Sequence, residues 1–381
     1  MIASIRNIEV LGWAVMPLRA SATHILRIAN PFQQWYNLRR LRTFLRYTSI
    51  AILTIFFLGL FLWKSNLHEV GRILGTTNLA WLAIALFINW LTLAFRTIRW
   101  RLIIDPIEPP PFYPTYFANA AGYMLSTILP IRAGDVARPA LLARRTKVRF
   151  ATALGTVLTE RILDLASILI VFLIFAVRRW DQYSHDPTIN RWFFAIRSGT
   201  IVSVLILGFL AGFVAGLFFF RESVRRAHSW LGDHLIPKRF RESWMQFFDS
   251  FANTLDLANH PGALLRVMLC TAGIWLCLTS QFYFTVLALN RPLPFDSSFF
   301  VNGVTTVGLA VPTPGGVGGF HKACQIVLTT FYHFDIDSSV AVALLFHVVG
   351  TLPVIVTGLL LFVREGLNWR QLSAEARQQQ T

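Results

Sequence analysis

Charged residues are scarce in this chain. Only 14% of its 381 residues are Asp, Glu, Lys or Arg, and 55% are hydrophobic, whereas a soluble protein carries roughly 25% charged residues. This scarcity excludes an ordinary soluble domain and predicts a membrane protein. Acidic residues are the rarer sign, with 19 against 35 basic ones and a net charge of +16. The basic excess lies beside apolar stretches, which indicates membrane topology and not nucleic-acid binding.

Cysteines are also few, with three in the whole chain. Cys270 and Cys277 lie seven residues apart on one predicted helix, about 10 Å along its axis, which is too far for a disulfide. No zinc-ligand pattern accompanies them, so we expect neither a metal site nor a cofactor. A cleavable signal peptide is also not evident, because the first apolar stretch, residues 8–18, contains Glu9 and lacks a small-residue cleavage site.

Long apolar stretches predict an all-α fold, a polytopic transmembrane helical bundle. About 20 apolar residues are needed to cross the hydrocarbon core. The six candidate spans are residues 48–63, 79–95, 151–177, 199–220, 263–289 and 340–363. Two further apolar stretches, residues 112–130 and 299–311, run into segments rich in proline and glycine.

The distribution of basic residues predicts that both interrupted stretches are re-entrant hairpins. The basic N-terminal segment belongs in the cytoplasm. If residues 112–130 crossed the membrane completely, the dense basic cluster between Arg132 and Arg149 would lie outside. A hairpin that enters from the cytoplasmic side removes this conflict, and the same counting makes residues 299–334 a hairpin from the outer side. Two opposed hairpins predict an inverted repeat. The alternative is that one or both stretches are ordinary pairs of kinked helices.

The same counting gives the domain organisation and places the protein in the cell inner (cytoplasmic) membrane with both termini in the cytoplasm. We expect a cytoplasmic amphipathic lead-in at residues 1–46, a transmembrane domain at 47–365 and a cytoplasmic tail at 366–381. Within the transmembrane domain, residues 221–262 have aromatic residues near helical spacing among charges. This pattern predicts one or two amphipathic helices on the cytoplasmic leaflet.

Charged residues inside a predicted span are the main functional signal. Glu160, Arg161 and Asp164 lie within residues 151–177, where each would be costly if it faced lipid. Glu160 and Asp164 share a helix face, and Arg161 can pair with Asp164. The nearest partners are the charged residues of the first hairpin turn, Arg132, Asp135 and Arg138. We therefore expect this turn to pack against the Glu160 face.

Two interpretations of this charged group remain open. In the first, Arg132 and Arg138 line a polar cavity and bind a phosphate, because the guanidinium group matches phosphate bidentately. In the second, the charges form a self-satisfied salt-bridge network that only holds the hairpin in place. The two are compatible, because a ligand can use guanidinium donors that the carboxylates leave free.

The second hairpin contains a glycine run that superficially resembles a phosphate loop. It lacks the following Lys-Ser/Thr, so it does not predict a nucleotide site. It predicts instead a tight non-helical turn with close backbone approach. The expected turn residues of the two hairpins are Pro130, Gly134, Pro312, Pro314, Gly315, Gly316, Gly318 and Gly319. His321 and His347 are a candidate second polar site, with hydrogen-bonded packing as the alternative for His347.

Three ordered motifs resemble a known family. They are the run from Pro130 to Arg138 (PIRAGDVAR), the run from Glu160 to Asp164 (ERILD) and the run from Pro312 to Gly319 (PTPGGVGG). Together they resemble the lysylphosphatidylglycerol synthase transmembrane-region family, also called flippase-like, over roughly residues 45–365. The resemblance implies a bacterial-type integral membrane protein with lipid translocation as its activity.

Three residues depart from the pattern of that family. Asp135 stands where the family more often has glutamate, His321 where a glutamate is usual, and His347 where an arginine is common. The resemblance then implies that a His–His pair replaces a Glu–Arg pair. This replacement removes fixed charge from that end of the cavity and argues against a lysyl-lipid as the substrate.

The predicted function is an integral membrane lipid flippase or lipid-binding transporter, with an anionic membrane lipid as its partner and no particular oligomeric state indicated. One alternative is a membrane enzyme or accessory subunit in glycolipid, polyprenyl-phosphate or aminoacyl-lipid metabolism, with Asp135, Glu160 and Asp164 as candidate acids or bases. Another is a non-transporting scaffold. Family members that make aminoacylated lipid carry a large soluble domain after the membrane part, whereas about 18 residues follow Val363 here. We therefore expect no synthase activity.

Overall fold

A computed structural model of the protein describes residues 48–49, 51–128, 134–184, 190–255, 259–309 and 313–366. The lead-in, all of the tail except Gly366, and the turn residues Pro130, Arg132 and Pro312 lie outside these ranges. The helices are α1 Ala51–Leu62, α2 Leu67–Gly75, α3 Leu79–Ile104, α4 Phe112–Ile128, α5 Gly134–Ala143, α6 Phe150–Ser184, α7 Asn190–Phe219, α8 Arg221–His234, α9 Lys238–Leu255, α10 Pro261–Ala288, α11 Phe295–Gly308, α12 Gly319–Phe331 and α13 Ile336–Arg364.

Several of these helices are long and apolar enough to cross a membrane. Among the described residues they are α3, α10, α13 and the Arg197–Leu217 part of α7, and the pair α1 and α2, bent by 78°, is a fifth candidate. The prediction of an all-α polytopic bundle is thereby confirmed. The remaining predicted span, residues 151–177, lies within α6, whose 35 residues give a length of about 52 Å. Its charged residues make α6 less apolar than the other spans.

Two segments differ from the sequence-based expectation. Helix α3 does not end near residue 95 but continues to Ile104, and Arg99 in this extension is buried. The expected loop after the first span contains α2, which begins after Asn66 because the Asn66 side chain accepts a hydrogen bond from the His68 amide at 3.1 Å. The amide of Asn66 in turn donates to Asp337 at 2.7 Å, which ties α2 to the start of α13.

Both interrupted stretches are helical hairpins. Helix α4 packs against α5, and α11 packs against α12. The arms α5, α11 and α12 have 10, 14 and 13 residues, fewer than the roughly 20 that a complete crossing requires. In the first hairpin, a Cβ on Gly134 would overlap the carbonyl oxygen of Gly122. Glycine at this position therefore allows the two arms to approach each other closely.

The hairpins lie along α13 from opposite ends. Tyr113, at the start of α4, donates a hydrogen bond to Glu365 at 2.5 Å, just beyond the last residue of α13. Phe320, at the start of α12, contacts Phe346 in the middle of α13, with ring centroids 5.3 Å apart. The two tips meet between these regions: a Cβ on Gly315 would lie 3.1 Å from the carbonyl oxygen of Thr127. The two hairpins are therefore oppositely oriented.

The tip of the second hairpin requires glycine. Pro314–Gly316 forms a short 3₁₀ turn, and the φ angles of Gly315, Gly316 and Gly318 are +59°, +72° and +92°. Residues with a Cβ rarely adopt this left-handed region. A Cβ on Gly318 would also overlap Phe57 of α1. The glycine run thus forms the predicted non-helical turn.

Residues 221–262 contain α8 and α9. Helix α9 packs on the N-terminal half of α6, where the hydroxyls of Thr159 and Thr254 are 2.7 Å apart. A Cβ on Gly155 of α6 would lie 2.8 Å from the carbonyl oxygen of Phe247, so the two backbones are in close contact. This packing connects the amphipathic segment to the helix that carries Glu160. Its position on the cytoplasmic leaflet stays a prediction.

Candidate functional site

The centre of the candidate site is Glu160 on α6, which is completely buried. One carboxylate oxygen accepts a hydrogen bond from Nη2 of Arg138 at 2.9 Å, and the other lies 3.4 Å from Nη2 of Arg99. Arg138 is on α5, so the structure contains the contact expected between the first hairpin and the Glu160 face. The negative charge of Glu160 and the positive charges of the two guanidinium groups compensate each other, and each would otherwise be costly to bury.

Hydrogen bonds and aromatic rings fix the position of the Arg138 side chain. Its Nη1 donates to Asn119 at 2.8 Å and to the Tyr123 hydroxyl at 3.1 Å. Its guanidinium carbon lies 5.0 Å from the Trp100 ring centroid and 4.9 Å from that of Tyr123, within cation–π distance. A Cβ on Gly122 would overlap the Arg138 side chain, so glycine allows this arginine to pass α4. Its complete burial favours the interpretation as a salt-bridge lock.

Arg99 is a member of the site that sequence reasoning missed. Its Nη1 donates to Asp164 at 2.7 Å, one helical turn beyond Glu160, so the two acids share a face of α6 as predicted. The side chain of Arg99 is almost completely buried. In the sequence, Arg96, Arg99 and Arg101 follow an apolar stretch, a pattern that predicts the cytoplasmic end of a span. Trp100, Ile103 and Ile104 continue the apolar pattern, and this was the signal in the sequence that the buried helix extends past Arg99.

The edge of the site is more exposed than its centre. Arg161 lies 3.7 Å from Asp135 and 3.6 Å from Asp164, so the predicted pairing with Asp164 is present but loose. The side chains of Asp135, Arg161 and Asp164 are 24–32% exposed. Arg96 lies beside them, with its guanidinium carbon 4.6 Å from the Tyr123 ring centroid. We call Arg99, Asp135, Arg138, Glu160, Arg161 and Asp164 the ion network.

The ion network together with Arg96 carries excess positive charge. The described residues bring together four arginines, at positions 96, 99, 138 and 161, and three carboxylates, at positions 135, 160 and 164. The formal sum is therefore +1, and Arg132, outside the described residues, is not included. An unbalanced charge inside a membrane domain is costly, so this arrangement favours an anion.

The two histidines of the candidate second site are in contact. The ring centroids of His321 and His347 are 4.6 Å apart. The amide of Gly318 donates to Nδ1 of His321 at 3.3 Å, which leaves the ring proton of a neutral imidazole on Nε2. Phe61 and Phe320 flank His321, with ring centroids 5.0 and 5.6 Å away. This pair occupies the place where the hairpin tips meet, about one helical turn of α4 beyond Tyr123.

The other turn residues frame these two sites. Gly134 begins α5, Pro314 begins the 3₁₀ turn, and Gly319 begins α12. Within the part of the chain that the structure describes, no group of three or more His, Cys, Asp or Glu side chains could hold a metal ion. The arrangement is that of a polytopic membrane protein with two opposed hairpins and an arginine-rich polar centre.

The chain belongs to the family described as the lysylphosphatidylglycerol synthase TM region, whose model matches residues 47–358. The family resemblance of the three motifs is therefore confirmed. The chain is also similar to a UPF0104 membrane protein of Methanocaldococcus jannaschii, with 23% identity over 239 residues that cover 62% of this chain and 92% of that protein. A multi-pass membrane protein is thus the established class.

Proposed function

We propose that this protein is a flippase or lipid-binding transporter for an anionic phospholipid in the cytoplasmic membrane, with both termini in the cytoplasm. The observation that carries the proposal is the excess of arginine over carboxylate where the first hairpin packs against α3 and α6. A negatively charged headgroup would balance this charge. Guanidinium groups suit phosphate because they combine charge with paired, planar donors.

The two opposed hairpins support a transport role. Broken backbone at membrane depth is tolerated where it is buried in protein or lines a polar path. In transporters with inverted repeats, substrate sites lie near the midplane where such broken elements meet. Here Thr127 and Gly315 bring the two tips together beside the middle of α13. Movement of one hairpin against the other would expose the arginines to one leaflet and then to the other.

The proposal assigns no chemical step to the protein. The three clustered carboxylates, Asp135, Glu160 and Asp164, each face a guanidinium group. A general base must be free to take a proton from a substrate within hydrogen-bond reach. A carboxylate occupied by arginine is poorly suited to that task, so binding and movement of lipid account better for the site than catalysis.

Quantitative analysis of the lipids that co-purify with the protein tests this proposal. The protein is extracted in mild detergent and washed extensively, and its lipids are compared with those of the host membrane. We expect phosphatidylglycerol or another anionic phospholipid to be enriched relative to zwitterionic phospholipid. The same lipid ratio in the protein sample as in the bulk membrane would contradict the proposal.

A further inference from the structure

We propose that the headgroup phosphate binds at the edge of the ion network, between Arg96 and Arg161 and beside the Tyr123 hydroxyl. Arg99 and Arg138, in contrast, hold the hairpin to α6 and do not touch the ligand. This inference rests on the proposed function and names the residues that carry it. Neither Arg96 nor Tyr123 was singled out by the sequence motifs.

Burial separates the two groups of arginines. The side chains of Arg99 and Arg138 are 1% and 0% exposed. The donors of Arg138 that face Asn119, Tyr123 and Glu160 are already used. Its remaining donor, Nε, is completely shielded from solvent, so a phosphate could reach Arg138 only by displacing neighbouring side chains. Arg161, at 32% exposure, and the half-buried Arg96 lie where a ligand can approach.

Arg161 has donors without acceptors. Its Nε and Nη2 are shielded from solvent and make no hydrogen bond in the structure. The distances to Asp135 and Asp164, 3.7 and 3.6 Å, exceed hydrogen-bond length. A shielded donor without an acceptor is costly. A phosphate oxygen at this edge would satisfy it.

Arg96 supplies the charge that the network does not neutralise. Its contact in the described part of the chain is the face of Tyr123, 4.6 Å from the ring centroid, and no carboxylate lies within ion-pair distance. A cation–π contact places the guanidinium group but leaves its formal charge uncompensated. This arginine is therefore available to an anion without the loss of an existing ion pair.

Tyr123 connects the two arginines. Arg96 lies over the Tyr123 ring, and Arg161 directly follows Glu160, which pairs with the same Arg138 that donates to the Tyr123 hydroxyl. The Tyr123 oxygen accepts a hydrogen bond from Arg138, so its own proton is free to be donated to a phosphate oxygen. Tyr123 follows Tyr113 by ten residues on α4, about 15 Å along the helix axis.

Native mass spectrometry of the full chain in detergent tests the inference. The probes are phosphatidylglycerol, phosphatidylcholine and inorganic phosphate, each added at a series of concentrations. The variants are Arg96→Gln, Arg161→Gln and, as a matched control, Arg266→Gln, which removes the same charge from an exposed position on α10. We expect about tenfold weaker phosphatidylglycerol binding for each of the first two variants and unchanged binding for the control.

The possible outcomes separate the claims. A parent protein that does not prefer phosphatidylglycerol over phosphatidylcholine would refute the proposed function. A parent that does prefer it, together with an Arg96→Gln variant that binds it equally well, would refute this site and leave the function standing. Arg96-dependent binding of inorganic phosphate without phosphatidylglycerol would support the anion site and refute a lipid as its ligand. If Arg161→Gln fails to fold, Arg96→Gln decides, because Arg96 contributes no ion pair.

Discussion

Removal of the Glu160 carboxylate would leave a buried guanidinium group without its counterion. Glu160 is completely buried, and its oxygens lie 2.9 Å from Arg138 and 3.4 Å from Arg99. In Glu160→Ala, Arg99 would keep Asp164 at 2.7 Å, whereas Arg138 would keep only neutral partners. Breaking a buried ion pair by removing one partner costs about 3–5 kcal/mol, and the lost side-chain volume adds to this.

Glu160→Gln is expected to lower the free energy of unfolding less than Glu160→Ala. Glutamine fills the same volume, and its carbonyl oxygen can accept the hydrogen bond from Arg138. The double variant Glu160→Gln with Arg138→Met removes the stranded charge and should recover part of the stability that Glu160→Ala loses. Glu242→Ala is the control, because its pair with Arg149 is exposed on both sides and should contribute at most about 1 kcal/mol.

Thermal unfolding of the purified variants in one detergent measures this series. The expected order of melting temperature is parent and Glu242→Ala highest, then Glu160→Gln, then Glu160→Ala. Expression level in the membrane should follow the same order. Equal melting temperatures for Glu160→Ala and the parent would show that Glu160 does not hold the first hairpin, and the assignment of a salt-bridge lock would fail.

Three further predictions follow from the fold. Gly122→Ala should destabilise the protein by about 1–3 kcal/mol because its Cβ would overlap Arg138. The control Gly208→Ala, with open space around it, should be neutral or slightly stabilising. Thermal unfolding compares the two variants, and an equal effect would contradict the close approach of Arg138 to α4. Hydrogen bonds from Tyr113 and Arg145 hold the pKa of Glu365 below its ordinary value of 4.5. The stability from this contact is therefore present above pH 4.5 and is lost as the pH falls through the lowered pKa, and Glu365→Gln should abolish that acid-dependent part of the melting curve; an unchanged pH profile would refute it. Cysteine-accessibility mapping should label positions Arg145 and Arg239 from the cytoplasmic side and positions Arg291 and Asp337 from the outer side. Labelling of position Arg145 from the outer side would refute the hairpin model.

The transmembrane helices and the breaks in both hairpins could be predicted from the sequence because they depend on local residue composition. Apolar runs long enough to cross a membrane predict α3, α10 and α13, and the proline and glycine clusters predict where both hairpins break. Glu160 within a predicted span required a partner, so its contact with Arg138 could also be inferred. These features follow from the cost of charge and of unpaired backbone in hydrocarbon.

Other parts depend on tertiary packing that composition does not show. Arg99 lies among three basic residues at the apparent end of a span, where the positive-inside rule explains it adequately. Only the packing of α3 against α6 distinguishes this buried arginine from Arg96 and Arg101, which are half-buried. The roles of Arg96 and Tyr123 likewise depend on a ring contact between α3 and α4. The bend between α1 and α2 was missed because its short helix is stabilised by the Asn66 cap and by Asp337.

Transbilayer movement of lipid in proteoliposomes tests the central claim most directly. Vesicles contain the purified protein and a trace of fluorescent phosphatidylglycerol or fluorescent phosphatidylcholine, and a membrane-impermeant quencher reports how much label reaches the outer leaflet. We expect the protein to make inner-leaflet phosphatidylglycerol accessible much faster than in protein-free vesicles, with a smaller effect on phosphatidylcholine and a loss of the effect in Arg96→Gln. The account would be contradicted if phosphatidylglycerol moved no faster than in protein-free vesicles and if this lipid also failed to co-purify with the protein.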